Sequence, residues 1–420
     1  MITGFSRLSS KAAPTPFALA YEFARDGRLD AVKGPAITFT RASPGSRFDN
    51  AGVLQTPGND VARFDHSFDG TNWNALGLLI EEARTTLYTR SEEFDHADWT
   101  KTRSSISANA IAAPDGNPTA DKLVEDSTAS SSHLIKQNIS WISGTTYVLT
   151  RLVKVSERTE VHLRFAAGAA FPNNAHAYFD LSAGTVLSEG SGADSSGIED
   201  VGDGWYLCWV TATATGTAST GAQMFLSSGG TATYSGDGSS GVFLWGADVG
   251  AGTFPLSYIA TLSAAATRAA DVATITDLGF LDPAANTWLV KGRTALGGGL
   301  QVFGQIDDGD ENERIRIERN VSDEIHFIVT DGGVDQADLN LGTIADDTDL
   351  KVAVAWAAGD FAGSLDGAAV VTDAAGAVPT GLTTKRLGRD SAGNHWNRTI
   401  KRDVTWPSRL PDGVLQSLTT

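Results

Sequence analysis

Short runs of alternating apolar and polar residues, separated by Gly, Asp, Asn and Pro, recur from one end of this chain to the other. That pattern constrains the fold more than any other feature, because successive side chains of a strand point to opposite faces of a sheet and alternation buries one face. Clear cases are Thr146-Tyr147-Val148-Leu149-Thr150-Arg151-Leu152, Arg314-Ile315-Arg316-Ile317-Glu318 and Lys351-Val352-Ala353-Val354-Ala355-Trp356. Helical periodicity is nearly absent, with short helices expected only around Phe17 to Arg25 and Pro411 to Leu418. Two antiparallel sheets packed face to face bury such runs, so the reading is all-β, with sandwiches rather than an α/β enzyme fold. No fixed-period repeat suggests a solenoid or propeller.

At 420 residues the chain is too long for one ordinary domain, and two or three are expected. With 50 acidic against 32 basic residues the net charge is −18, which argues against a phosphate-neutralising surface and hence against nucleic acid. A single Cys excludes a disulfide framework and a Cys-ligated zinc site. No apolar run has the length of a membrane span, and Met1 to Ser10 lacks the order of a secretory signal, so a soluble chain is expected.

Turn residues place the boundaries. Residues 1–87 are irregular at first, then carry strands at Ile37 to Thr40, Arg47 to Thr56 through the turn Asp49-Asn50-Ala51-Gly52, and Leu78 to Glu81. That is too few strands for an independent sandwich. Residues 88–262 are strand-rich, Ser263 to Ala270 reads as a small-residue connector, and residues 271–420 form a second strand-rich block expected to fold alone.

The blocks Ile37-Thr38-Phe39-Thr40-Arg41-Ala42-Ser43, Phe48-Asp49-Asn50-Ala51-Gly52-Val53-Leu54-Gln55, Ala62-Arg63-Phe64-Asp65-His66 and Gly77-Leu78-Leu79-Ile80-Glu81-Glu82-Ala83-Arg84-Thr85 resemble, in order and spacing, a leader of bacteriophage structural proteins. These are tail-fibre and head-spike proteins, including those of phage-like gene transfer agents. Thr86 stands where an Asn is common in that pattern. Further on, Trp99-Thr100-Lys101, Ala113-Pro114-Asp115-Gly116, Asp203-Gly204-Trp205-Tyr206 and Leu244-Trp245-Gly246-Ala247 look like a jelly-roll module akin to carbohydrate-binding modules. The last block, with Gly363-Ser364-Leu365-Asp366-Gly367, Leu387-Gly388-Arg389 and Asn394-His395-Trp396-Asn397, resembles the concanavalin A and laminin-G type of lectin sandwich. The resemblance implies a protein made in the bacterial cytoplasm, displayed on a virion or phage-like particle, attached through residues 1–87 to other virion proteins, and binding host envelope or capsular polysaccharide.

Catalytic templates fail on inspection. The seven His are scattered, with no His-Glu-x-x-His spacing. Gly236-Asp237-Gly238-Ser239-Ser240-Gly241 matches a dinucleotide fingerprint as a string, but a strand follows it where a helix N-terminus is needed to hold a pyrophosphate. Cys208 reads as a small buried hydrophobe. Carboxylate pairs for glycoside cleavage stay open, because their separation is a spatial matter.

Sugar rings stack C–H faces on aromatic rings while their hydroxyls seek planar polar groups. Trp141, Trp205, Trp209 and Trp245 sit in or beside strand runs and suit core packing, whereas Trp73 and Trp396, with Asn394 beside the latter, lie among polar residues on expected loops. These three are the ligand-facing candidates, with a subunit contact or a local lid as the other roles open to the tryptophans. The acidic turns Asp307 to Asn312 and Asp346 to Asp349 offer oxygens for a structural Ca2+, with ordinary solvation as the alternative. The resulting expectation is a non-catalytic, oligomeric surface protein that binds polysaccharide. A capsule depolymerase and a decoration protein that binds no sugar are its alternatives.

Overall fold

The computed structural model describes residues 16–420. The chain is all-β as expected, built from four large antiparallel sheets that pack in two pairs, with two small two-stranded sheets between and beside them. The strands expected from alternation are present as Thr146–Val155, Arg314–Arg319 and Asp349–Ala357. The tail helix is Asp412–Thr419, but Phe17 to Arg25 holds the strand Leu19–Tyr21 and only the first residues of a single helical turn at Phe23–Asp26. Among the described residues no helix is long and apolar enough to cross a membrane.

The middle of the chain forms one sandwich. Its first sheet orders Ser195–Asp200, Trp205–Thr213, Thr146–Val155, Gly241–Ala251, Ala120–Glu125 and Ser104–Ile111. Its second orders Thr185–Glu189, His176–Asp180, Glu160–Phe165, Ala218–Ser227, Leu134–Trp141 and Thr100–Thr102. Leu149, Val153, Leu163, Cys208, Met224 and Leu244 are wholly buried between the two sheets. Arg151 shares this core with no carboxylate partner among the described residues, its guanidinium lying 5.1 to 5.4 Å from the ring centroids of Tyr88, Phe94 and Trp99. Cation–π attraction to three rings offsets part of the cost of burying that charge.

The second sandwich corrects the expected boundary at Asp271. Its eight-stranded sheet takes Phe64–Phe68 and Trp73–Ile80 at one end and Leu19–Tyr21 against Arg398–Trp406, while Thr38–Thr40 caps the facing seven-stranded sheet. Leu19, Tyr21, Phe39, Leu78 and Ile80 lie in the same core as Trp288, Ile317, Val354 and Trp396. A block starting at Asp271 therefore lacks strands of both sheets and part of its core. The physical reason is visible at Gly77. There φ is +102° and a Cβ would fall 2.2 Å from the Ile400 carbonyl oxygen, so only glycine lets the two strands approach.

The expected connector is also more than a link. Ala266–Arg268 pairs with Arg84–Thr86, and Arg268 reaches a buried ionic cluster. In that cluster Arg41 Nη1 lies 3.1 Å from Asp271 Oδ1, and Arg63 contacts Asp271 Oδ2 and lies 2.7 Å from Glu81 Oε2. Arg268 Nη2 lies 3.4 Å from Glu81. Ser257 adds two hydrogen bonds to Glu81, from its N–H at 2.9 Å and its hydroxyl at 2.6 Å. Three separate blocks of the leader thus converge with residues some two hundred positions away on one set of charges. Burial would raise the Glu81 carboxyl, yet Arg268 and Arg63, with the Ser257 bonds, hold it well below the usual carboxylate range.

Candidate functional site

Where the two sandwiches meet, the outer face of the first middle sheet presents Leu152, Trp205 and Trp245 to Leu54 of the leader hairpin and to Val201. Leu54, Leu152 and Val201 of this cluster form the floor of a cleft of about 120 Å³. That volume holds several waters or roughly one sugar ring. Leu76, Leu79 and Leu207 extend the floor, and the polar rim carries Asp65, His66, Glu199, Arg293, Asp347, Arg398 and Tyr258. The rim is drawn from the leader strand Phe64–Phe68, the middle strand Ser195–Asp200, the ends of Ala285–Arg293 and Arg398–Trp406, and the connections that hold Tyr258 and Asp347.

Alternation places these groups. Phe64 packs against the second core, so Asp65 turns to the cleft, where its Oδ1 accepts the Phe48 N–H at 2.8 Å. Burial pushes the Asp65 carboxyl up to about 6 in spite of the Phe48 and His66 N–H groups. The Glu199 side chain is exposed to the cleft and makes no hydrogen bond among the described residues. Burial, with Asp347 and Asp65 nearby, raises its carboxyl against the pull of Arg398 and Arg293. Opposite, Arg293 clasps Asp347 with Nε and Nη2 at 2.7 and 2.9 Å, and Arg398 Nη2 adds a bond at 3.0 Å. The arrangement offers two carboxylates without cationic partners and two guanidiniums with donors to spare, over an apolar floor. Convergent polar groups of this kind bind hydroxyl-rich ligands.

The residues singled out from the sequence are placed differently. Trp396 is fully buried, stacked on Phe303 with centroids 4.2 Å apart, and its Nε1 donates to the Arg293 carbonyl at 2.7 Å. It is a core residue and cannot stack on a ligand. Asn394 is tied into its own turn, with Nδ2 donating to Asp390 at 2.7 Å. Trp73 comes nearest to the site. Its half-buried ring packs on Phe48 and Phe68, and a Cβ on Gly52 or Gly202 would fall 2.4 or 2.8 Å from it, so it closes the cleft wall from behind Phe48. Of the four strand tryptophans, Trp141, Trp205 and Trp245 are buried, and Trp209 is part-exposed.

Part of each acidic turn is held by cations. Arg386 grips Asp307 at 2.7 and 3.0 Å, Arg319 holds Asp346 at 2.6 Å and Lys401 holds Asp349 at 2.5 Å. Among the described residues no group of three or more His, Cys, Asp or Glu is set to hold a metal ion. Gly236 to Gly241 is a loop before a strand, and burial raises the Cys208 thiol far above its ordinary value.

No family model matches the chain, and no curated protein does. Among solved structures, the NanB sialidase of Streptococcus pneumoniae aligns at 13% identity and a TM-score of 0.31, over 35% of this chain and 26% of that one. The CBM40 module of the Ruminococcus gnavus IT-sialidase, bound to α2,6 sialyllactose, aligns at 15% and 0.29 over 33% and 85%. Domains LG4-5 of the mouse laminin α1 chain align at 11% and 0.23 over 67% and 85%. The chain thus spans about a quarter of the sialidase. Overlaps this slight bear on no residue of the cleft, and the all-β architecture stands on its own strand pairing.

One consequence of the cleft can be measured without a ligand. Asp65 has a folded value near 6, above its unfolded value of about 3.9, so the stability it contributes is present below pH 4 and is lost as pH rises through 6. Asp65→Asn keeps an acceptor for the Phe48 N–H and removes the charge. The variant is expected to match the parent at pH 4 and to exceed it by about 1 kcal/mol at pH 8, after discounting for partial exposure. Denaturant titrations at the two pH values check this, and an equal difference at both contradicts it.

Proposed function

We propose that this chain is a non-catalytic, polysaccharide-binding surface protein of a phage or phage-like particle, and that the cleft between its sandwiches is where a sugar unit binds. The observation that carries the reading is the cleft itself, in which Asp65, Glu199, Arg293 and Arg398 converge with free hydrogen-bonding capacity over leucines. The likeness of Arg41-Ala42-Ser43, Arg63-Phe64-Asp65 and Gly77 to Arg84 to a phage leader supplies the particle context. A single sugar site binds weakly, so several copies on one particle or in one oligomer supply avidity. Attachment is assigned to residues 1–87. Because most of that segment is woven into a sandwich, its working surface is the exposed part, such as the hairpin tip Asp69 to Asn72.

The test is calorimetric binding of envelope polysaccharide purified from the host. The Asp65→Asn, Glu199→Gln double variant is expected to bind at least about tenfold more weakly while melting normally, the scale of losing two charge-assisted hydrogen bonds. Unchanged binding by the variant overturns the site.

A second reading rests on the same two carboxylates, which face one cleft from different sandwiches and suit a general acid and its partner. It makes the protein a depolymerase. Release of new reducing ends from the polysaccharide by the parent protein, abolished in Glu199→Gln, favours that reading over binding alone.

A further inference from the structure

The outward face of the second middle sheet holds a row of polar side chains that nothing among the described residues neutralises. On the strand Glu160–Phe165, Val161, Leu163 and Phe165 point into the core, so His162 and Arg164 point away from it. Cross-strand pairing sets Arg164 opposite His176 on one side and Gln223 on the other, and Gln223 opposite Lys136. His176, Arg164, Gln223 and Lys136 therefore form one line across four strands, each part-exposed. Arg164 and Lys136 lie two strands apart, roughly 10 Å at the backbone. Gly221 adjoins Lys136 and Gln223 and, lacking a side chain, leaves the end of the row open.

Several other cations of this sandwich are paired. Lys122 meets Glu157 at 2.6 Å, Lys154 meets Asp203 at 3.0 Å and Arg158 meets Glu125 at 2.5 Å. In a chain of net charge −18, acidic partners are plentiful, yet the side chains of Arg164 and Lys136 make no ion pair or hydrogen bond among the described residues. The carboxylates nearest the row in register are occupied. Glu160 accepts from the Ser227 hydroxyl and the Gly230 N–H, and Glu189 accepts from the Ser196 hydroxyl.

Beside the row, on the same face, lies a strip of rings. His162 is 3% exposed, stacked on Tyr178 at 4.0 Å and on Phe225 at 4.8 Å, with neither ring nitrogen hydrogen-bonded. Burial, then His176 and Arg164, pushes its imidazole down to about 2, so it stays neutral. The positive charge of the face is that of Arg164 and Lys136, beside the stacked rings.

We infer that this row is a second saccharide site, independent of the cleft, that takes an acidic sugar unit: the sugar carboxylate on Arg164 and Lys136, a hydroxyl on Gln223. A planar guanidinium with free N–H groups matches a carboxylate in geometry as well as charge. Neutral sugars gain nothing from the two cations. The inference goes beyond the cleft reading and stands or falls separately from it.

The experiment measures binding of the full chain to oligomers of galacturonate and of sialic acid, with dextran oligomers as the neutral probe. An acidic oligomer is expected to bind in a salt-sensitive way, and Arg164→Ala and Lys136→Ala are each expected to weaken it about tenfold. The Asp65→Asn, Glu199→Gln cleft variant is expected to bind that oligomer like the parent. The inference is overturned if no acidic oligomer binds more tightly than dextran, or if the Arg164→Ala, Lys136→Ala double variant, shown folded by its melting, binds unchanged. Loss of acidic-oligomer binding in the cleft variant alone would likewise overturn it, by moving that ligand to the cleft.

Discussion

Replacing Asp271 by Ala is expected to destabilise the chain by about 3 to 5 kcal/mol, the range for removing one partner from a buried ionic cluster. Asp271 is inaccessible to solvent, accepts hydrogen bonds from Arg41 and Arg63, and takes the Glu81 N–H at 2.9 Å. Without it, three buried guanidiniums, those of Arg41, Arg63 and Arg268, share the single carboxylate of Glu81. The effect reads out as a fall in denaturant midpoint. The surface pair Arg25 and Asp26 is a control on the same chain, for which a much smaller fall is expected. The acid limb of stability has a defined sign as well. Because the Glu81 carboxyl is depressed in the fold, the stability it contributes is present above its unfolded value, about 4.3, and fades as pH falls below it. A cost at Asp271 no greater than at Asp26 means that the leader blocks are held by packing alone.

Asp403→Ala is expected to have a similar effect, about 3 to 5 kcal/mol, for a related reason. Lys385 lies in the seven-stranded sheet and Asp403 in the eight-stranded one, and their Nζ and Oδ1 atoms meet at 2.6 Å in the core between. Thr405 and the Trp288 ring, 4.3 Å from Nζ, complete the ammonium's surroundings, and Trp288 Nε1 donates to the other Asp403 oxygen at 2.9 Å. Burial pulls the Lys385 amine down although Asp403 opposes it. Removing Asp403 alone leaves that cation without a counter-charge. The double variant Lys385→Met, Asp403→Leu replaces the pair with apolar side chains and is expected to recover most of the loss. Additive losses in the double variant would instead mean that each residue acts through packing.

The strands were legible because alternation is a local property. Thr146 to Leu152 reads as a strand from its own residues, and the structure extends it only to Val155. What the pattern cannot report is which polar residues are spent internally. Asn394, His395, Asn397 and Arg398 suggest a solvated loop around Trp396, but Asn394 bonds Asp390, His395 reaches the Asp271 carbonyl at 3.2 Å and Asn397 binds Glu82. With its neighbours paired inward, the indole goes into the core. Arg151 shows the converse, a charged residue at an inward position that only the cage of Tyr88, Phe94 and Trp99 accommodates. The small residues of Ser263 to Ala270 hid a paired strand, since Arg268 is the one residue there whose charge points to distant partners. The cleft was illegible for a different reason. Asp65, Glu199 and Arg398 are separated by more than a hundred residues each, and only the docking of the two sandwiches brings them together.

The central claim is that a sugar unit of host polysaccharide sits in this cleft, and a crystal structure of the full chain with an oligosaccharide cut from that polysaccharide tests it most directly. The expected result is a sugar ring over Leu152 and Leu207 with hydroxyls within hydrogen-bond distance of Asp65 and Glu199. An oligosaccharide bound with full occupancy elsewhere on the surface, the cleft holding only water, would contradict it.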